Sequence, residues 1–270
     1  MNILKFISSF ADERILNATG SRRESFNQFG KIGKNMALAS IPFGFAALNT
    51  KAFAADIQPT PATAIGALQL ALTLEYLEDE FYQTALDTAG LIPPSENSGR
   101  DLKVFQQISQ HEADHVAFLI AGLGGTGSAN FVAKPTFDFT AGGTFPDVFS
   151  NYQTFLALAQ AFEDTGVRAY KGQAGNLIGD DALLTAALQI HSVEARHASE
   201  VRRLRSEKGW ITGNTSAPAP AAQAVYDGEQ VTTQAGYNTA ALFGAGAGSE
   251  AFDEPLTTAE TVSIANLFIV

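Results

Sequence analysis

Four long stretches of the chain place apolar residues at the spacing of an α-helix. In the first stretch, Leu68, Leu72 and Glu75 lie on one face. The third stretch follows Pro146 and carries Asp147 in its first turn. The stretches cover residues 63–89, about 100–123, about 147–174 and about 180–208. The pattern predicts four α-helices of roughly 22–30 residues each and an all-α fold.

The connections between these stretches predict how the helices are arranged. Pro93 and Pro94 interrupt the chain after the first stretch, and the Gly-containing residues 175–179 form a short turn after the third. Residues 124–146, rich in Gly, Thr, Phe and Pro, form a long connection between the second and the third. One long crossover between two short links predicts a four-helix bundle over residues 60–209.

The remaining residues, 210–270, form a C-terminal extension that we expect to pack on the bundle. Residues 209–250 are rich in Ala, Gly, Pro and Thr and are predicted to be irregular coil. Thr257 or Thr258 is predicted to cap a short final helix, because a Glu follows within its first turn. The apolar end, residues 264–270, is expected to dock on the bundle.

Residues 1–54 resemble an export signal. They hold seven Lys or Arg and three Asp or Glu, a net charge of +4, whereas the rest of the chain carries −15. Arg22 and Arg23 precede a mildly apolar stretch, residues 36–48, which is too short to span a bilayer. Ala54 ends an Ala-x-Ala-like exit, so cleavage is expected there or one residue later. The paired arginines resemble a twin-arginine signal and predict an exported protein of the periplasm or cell envelope. The alternative is an ordinary basic N-terminus or an uncleaved anchor.

The overall composition excludes several classes of function. The chain has no Cys, so it offers no disulfide, no thiolate metal site and no rubredoxin-type iron site. The net charge of −11 argues against nucleic acid and against an anionic membrane surface as partners. Once the signal is removed, we expect no segment that spans a membrane, and the sequence is compatible with an oligomer.

All four histidines lie in two short segments of the second and fourth predicted helices. Each segment contains a Glu-x-x-His motif, Glu112 with His115 and Glu194 with His197. Residues three apart share a helix face, so the carboxylate and the imidazole of each motif point the same way. Two such motifs in matching places indicate a metal site.

The first and third predicted helices supply further carboxylates. Aligning Glu75 with Glu163 also places Tyr82 on Tyr170, so the bundle resembles one helical hairpin repeated. Four carboxylates facing one core would repel each other and be poorly solvated without cations. Two divalent ions held with two imidazoles would neutralise them. Oxygen and imidazole ligands favour iron or manganese, and zinc would also be accepted.

The metal motif resembles that of the ferritin-like superfamily. The wider layout, including the ending Glu250 to Leu256, is similar to its bacterial "ferritin-like domain" branch, which is related to plant desiccation-related proteins. The resemblance implies a ferritin-like four-helix bundle in which Glu112 and Glu194 bridge two ions. It further implies that four residues are terminal ligands: Glu75, His115, Glu163 and His197.

Several neighbours are candidates for supporting roles. Glu78 shares a face with Glu75 and could compete with it, although Gly166 stands at the counterpart of Glu78 in the third helix. The other candidates are His111, His191, Tyr82 and Tyr170, each of which either contacts a ligand or is an ordinary buried polar or aromatic residue. Asp79, Glu80 and Asp164 are predicted to be solvated.

Three functions are consistent with this sequence. The first is a di-iron or di-manganese oxidase, peroxidase or catalase that acts on peroxide or dioxygen. The second is iron binding, storage or detoxification without turnover of an organic substrate. The third is a non-catalytic envelope stress or desiccation-related protein that uses the bundle as a scaffold.

Overall fold

The computed structural model describes residues 56–94 and 99–270. The predicted export signal therefore lies outside the described residues. Four long helices form the bundle: α1 Ala64–Asp87, α2 Arg100–Gly122, α3 Tyr152–Leu177 and α4 Asp181–Leu204. Helix α1 packs against α2, and α3 packs against α4. The long connection joins α2 to α3, so the predicted all-α four-helix bundle with one long crossover is confirmed.

Two helix ends differ from the prediction. Helix α3 begins at Tyr152 because Asn151 is its N-cap and accepts from the Gln153 backbone N–H. The residues from Asp147 onward form turns instead, in which the Asp147 carbonyl accepts from the backbone N–H of Asn151. Helix α4 ends at Leu204 and not near residue 208, since Ser206 adopts a left-handed conformation with φ 62°.

The core lies in two apolar layers at different levels of the bundle. One is aromatic: Phe81, Phe155 and Phe162 pack together, and Phe139 of the crossover joins them. The other layer lies around Leu72 and is mainly aliphatic, with Tyr76 and Tyr170 among its buried members. Part of the long crossover is thus a component of the core.

The C-terminal extension contains more regular structure than predicted. It comprises two 3₁₀ helices, Gly213–Thr215 and Pro220–Val225, a hairpin of β1 Thr233–Gln234 and β2 Tyr237–Asn238, and the helices α5 Ala240–Ser249 and α6 Thr258–Ala265. The expectation of irregular coil over residues 209–250 was therefore wrong in part. The chain reverses at Ala235 and Gly236, both with positive φ, and turns again at Gly244 (φ 83°) inside α5.

The final helix is capped and docked. Thr257 and Glu260 form a complete capping box at the start of α6, as the sequence predicted. Ile264, Phe268 and Ile269 are buried, and the ring of Phe268 packs on that of Phe162 in α3. Within the described residues, we find no helix with both the length and the apolar character that a membrane crossing requires.

A tyrosine of the extension donates a hydrogen bond to a buried ion pair of the bundle. Asp164 of α3 is 2% exposed, so the prediction that it is solvated was wrong. Its carboxylate accepts from the Arg202 guanidinium, and the hydroxyl of Tyr226 donates to it at 2.7 Å. Tyr226 belongs to the extension. The local pattern around Asp164 therefore could not predict that Asp164 is buried.

Two glycines of α3 make a matched test of how tightly the extension is docked. An alanine Cβ at Gly172 would stand 1.9 Å from the Leu256 carbonyl oxygen, whereas nothing lies within 4 Å of one at Gly175. We expect Gly172→Ala to lower the free energy of unfolding by about 1–3 kcal/mol, because backbone must move. Gly175→Ala should raise it by up to about 1 kcal/mol. Urea unfolding of both variants checks this, and equal effects would contradict it.

Candidate metal centre

The middle of the bundle carries a layer of buried acids and imidazoles. The structure brings together all six residues predicted as ligands, and the four carboxylates among them are 0% exposed. They form two groups whose ligand atoms lie within 4.8 Å of one another: Glu75, Glu112, His115 and Glu194, and Glu112, Glu163, Glu194 and His197. Glu112 and Glu194 belong to both groups. Each group also has one imidazole and one carboxylate of its own.

The two imidazoles direct the same ring atom into the layer. His115 Nδ1 lies 3.0 Å from an oxygen of Glu112, and 3.2 Å from oxygens of both Glu75 and Glu194. His197 Nδ1 lies 2.8 Å from the other oxygen of Glu112 and 3.3 Å from Glu163. Each carboxylate oxygen of Glu112 therefore faces a different histidine.

Several of these polar atoms have no hydrogen-bond partner despite their burial. Glu112 Oε1, Glu163 Oε2, both oxygens of Glu194 and His197 Nδ1 are in this state. His197 Nδ1 and Glu112 Oε1 are close, yet their relative orientation does not make a hydrogen bond. Buried polar atoms in natural proteins are nearly always paired. A buried cluster of oxygen and nitrogen atoms that lack hydrogen-bond partners fits divalent cations.

Two tyrosines cross-link the halves of the repeat. Tyr82 of α1 donates to Glu163 of α3 at 2.5 Å, and Tyr170 of α3 donates to Glu75 of α1 at 2.5 Å. Each tyrosine thus holds the carboxylate that belongs to the other half. The sequence left open whether these tyrosines contact a ligand or are ordinary buried aromatic residues. In the structure, each contacts a predicted ligand.

Burial and the facing carboxylates act in opposite directions on the imidazoles. Burial alone would lower the pKa of His115, but the carboxylates, Glu112 foremost, raise it to about 12. The pKa of His197 is also raised well above its usual range, against burial, chiefly by Glu163. Without a metal ion, both rings are therefore held as imidazolium at neutral pH.

The carboxyl groups differ in their proton affinity. Burial raises the pKa of Glu163 to about 7 and that of Glu112 well above its usual range. Burial alone would raise the pKa of Glu194 too, but the neighbouring imidazoles of His115 and His197 outweigh burial and lower it to about 2. Protons thus occupy the places that cations would take, so metal binding releases protons and strengthens as pH rises.

The other two histidines lie in different surroundings. His111 Nδ1 is 2.9 Å from His197 Nε2, and Gln107 Nε2 is 2.8 Å from His111 Nε2. His111 therefore contacts a predicted ligand through an imidazole and not through a carboxylate. His191 belongs to neither metal group, and burial lowers its pKa.

Glu78 is deeper in the site than its sequence context indicated. It is 3% exposed, and burial together with Glu194 raises its pKa well above the usual range. Glu75, which the sequence favoured over it, belongs to a metal group, whereas Glu78 does not. The space that admits Glu78 comes from Gly166, because a Cβ there would lie 3.3 Å from both Glu78 Oε1 and Glu194 Oε2. A glycine opposite a second glutamate was the signal available in the sequence.

Gly166→Ala tests this crowding. The new methyl group would displace the carboxylates of Glu78 and Glu194 by a few tenths of an ångström. We expect a folded protein whose metal affinity falls about tenfold, the lower end of the effect of disturbing groups around ligands. Calorimetric metal titration measures this, with Gly175→Ala as the matched control in the same helix. An unchanged affinity would show that the two carboxylates adapt freely.

These features define the protein as a helical bundle whose buried glutamates and histidines could hold a metal. The sequence profile of the family described as "Ferritin-like domain" matches residues 63–207, more than half of the chain. The chain therefore belongs to the ferritin-like domain family. Among curated proteins, none matches it.

Proposed function

We propose that this protein binds two iron or manganese ions and uses them for redox chemistry on peroxide or dioxygen. The observation that carries the proposal is the sharing of Glu112 and Glu194 between two ligand groups. Two shared carboxylates would hold a pair of cations, each with one imidazole and one carboxylate of its own. A single-ion site would not need the second set.

The donor atoms support this choice of metal. Carboxylate oxygens and imidazole nitrogens suit iron and manganese, and also zinc, which is not redox-active. When bound, a pair of iron or manganese ions supplies two electrons at one place. The chain's own contribution is to exclude water by burial and to hold Glu75 and Glu163 in position through Tyr170 and Tyr82.

We also propose that the protein acts outside the cytoplasm, in the periplasm or cell envelope. The support is the layout of residues 1–54, which lie outside the described residues. The narrower likeness to desiccation-related proteins rests likewise on the sequence. Intact-mass measurement of the protein from the periplasmic fraction tests export, and we expect a chain that begins at residue 55 or 56. A cytoplasmic chain that still carries residues 1–54 would contradict it.

The redox proposal is tested by metal content followed by turnover. Elemental mass spectrometry of protein purified from its native compartment should find about two iron or manganese ions per chain. Such protein should then consume peroxide or dioxygen in an electrode assay, beyond the rate of the free metal. Two bound ions without turnover would favour metal storage or a structural role. A folded protein that never acquires metal would overturn the proposal.

A further inference from the structure

A small apolar cavity lies next to the candidate metal centre and is enclosed by all four bundle helices. Its wall includes Ala71 and Leu74 of α1, Phe118 of α2, Tyr170 of α3, and Ala187 and Ile190 of α4. Ala71 precedes the predicted ligand Glu75 by four residues, and Ile190 precedes the predicted ligand Glu194 by four residues. The cavity is therefore about one helical turn, ~5.4 Å, from the ligands along the bundle.

One residue connects the cavity directly to the centre. The ring of Tyr170 lines the cavity, while its hydroxyl donates to Glu75 at 2.5 Å. At the outer end, Phe118 is 44% exposed and Ala187 is half-buried, so the cavity has a mouth at the surface between α2 and α4. A molecule in the cavity would be separated from the ligand layer by little more than one aromatic ring.

The size and chemistry of the cavity restrict what it can hold. Its volume of ≈ 30 Å³ exceeds the roughly 10–15 Å³ that one water-sized molecule needs, but it is far too small for an organic substrate. Apart from Tyr170 and Gln173, the lining side chains are aliphatic or phenyl groups. Cavities of this kind stay dry, because water or hydrogen peroxide inside would lose hydrogen bonds. A diatomic apolar gas loses none.

Polar molecules have a different approach to the same centre. Gln107 is exposed, and it continues through His111 to His197 by two contacts of 2.8 and 2.9 Å. This polar line reaches the second ligand group, on the side of His197. Apolar molecules thus approach the ligand layer from the side of the cavity, and polar molecules approach it from the side of His197.

We propose that the apolar cavity is a binding site for dioxygen, which it holds beside Glu75 and Tyr170. The relevance of this site to turnover rests on the proposed function. The cavity would admit dioxygen, and not peroxide, to the centre from this side. The binding itself is a property of the chain without metal.

The first experiment measures dioxygen binding in the metal-free full chain. Methyl groups of Leu74 and Ile190 should show paramagnetic relaxation under dioxygen pressure that greatly exceeds that of surface methyls. Ala187→Phe, which fills the half-buried mouth, should remove this excess. Ala222→Phe is the matched control, because Ala222 is also half-buried and lines a second apolar cavity of ≈ 20 Å³ near α6. No excess relaxation in the wild type, or equal loss in both variants, would overturn the site.

The second experiment links the cavity to reactivity. In protein loaded with iron(II), Ala187→Phe should slow oxidation by dioxygen about tenfold, equivalent to ~1.4 kcal/mol of barrier, and leave oxidation by hydrogen peroxide unchanged. Equal slowing of both oxidants, or of neither, would overturn a supply role. If wild-type protein binds dioxygen in the cavity but reacts with neither oxidant, the proposed redox function fails while the binding site stands.

Discussion

We expect that replacing Glu112 and Glu194 together by glutamine abolishes the proposed binding of two metal ions. These are the carboxylates common to the two ligand groups, so their loss leaves each group with one carboxylate and one imidazole. Glutamine keeps the size of the side chain, and the bundle should remain folded. Elemental analysis should fall from about two ions per chain to none. Single substitution of the terminal ligand Glu163 should leave up to one ion, since the His115 group is intact.

The same variant separates metal binding from bundle stability. A ligand at about 1,000 times its dissociation constant stabilises the folded state by about 4 kcal/mol. We expect iron(II) or manganese(II) to raise the melting temperature of the wild type and to leave that of the double variant unchanged. Glu80→Gln/Glu200→Gln removes the same charge from more exposed positions and is the control. A metal-dependent shift that survives in the Glu112/Glu194 variant would contradict the assignment of these ligands.

Replacing Arg168 by methionine has the second large expected effect, a loss of about 3–5 kcal/mol in the free energy of unfolding. Arg168 is 1% exposed and donates to the backbone carbonyls of Val225, Asp227 and Glu254 in the extension. It also pairs with Glu229, which is 0% exposed, at 2.9 Å. The variant leaves the buried carboxyl group of Glu229 without its ion-pair partner and three carbonyls without their donor.

The measurement for Arg168 is urea unfolding beside a matched variant. Arg203 of α4 is exposed, so Arg203→Met should change the free energy by less than about 0.5 kcal/mol. Adding Glu229→Gln to Arg168→Met should recover part of the loss, because no buried charge then remains unpaired. A loss below about 1 kcal/mol in Arg168→Met would show that the extension is held mainly by its apolar contacts.

This pair also makes stability depend on pH. Burial raises the pKa of Glu229 to about 7, although Arg168 acts in the opposite direction. Because the folded pKa lies above the unfolded value near 4.3, the contribution of Glu229 is present below about pH 4 and lost as pH rises through 7. Between pH 5 and pH 8, the free energy of unfolding of Glu229→Gln should therefore rise relative to that of the wild type. Parallel pH profiles would contradict this.

The chain's own pattern was sufficient for the bundle and for the residues that meet at its centre. Helical periodicity and link lengths are local properties, and they predicted four helices with one long crossover. The Glu-x-x-His motifs lie on single helix faces, and the repeat aligned Glu75 with Glu163, so an inward face could be predicted for each helix. Residues on one helix face are only three or four positions apart, so the composition of that face can be read from a short stretch of sequence.

Contacts between distant segments decided the rest. Asp164 looked solvated until Tyr226, 62 residues later, covered it, and Glu78 became part of the buried layer because Gly166 left room for it. The crossed bonds from Tyr82 to Glu163 and from Tyr170 to Glu75 depend on which helix faces which. Burial of a polar side chain depends on partners that arrive from elsewhere in the chain, and no local spacing encodes them.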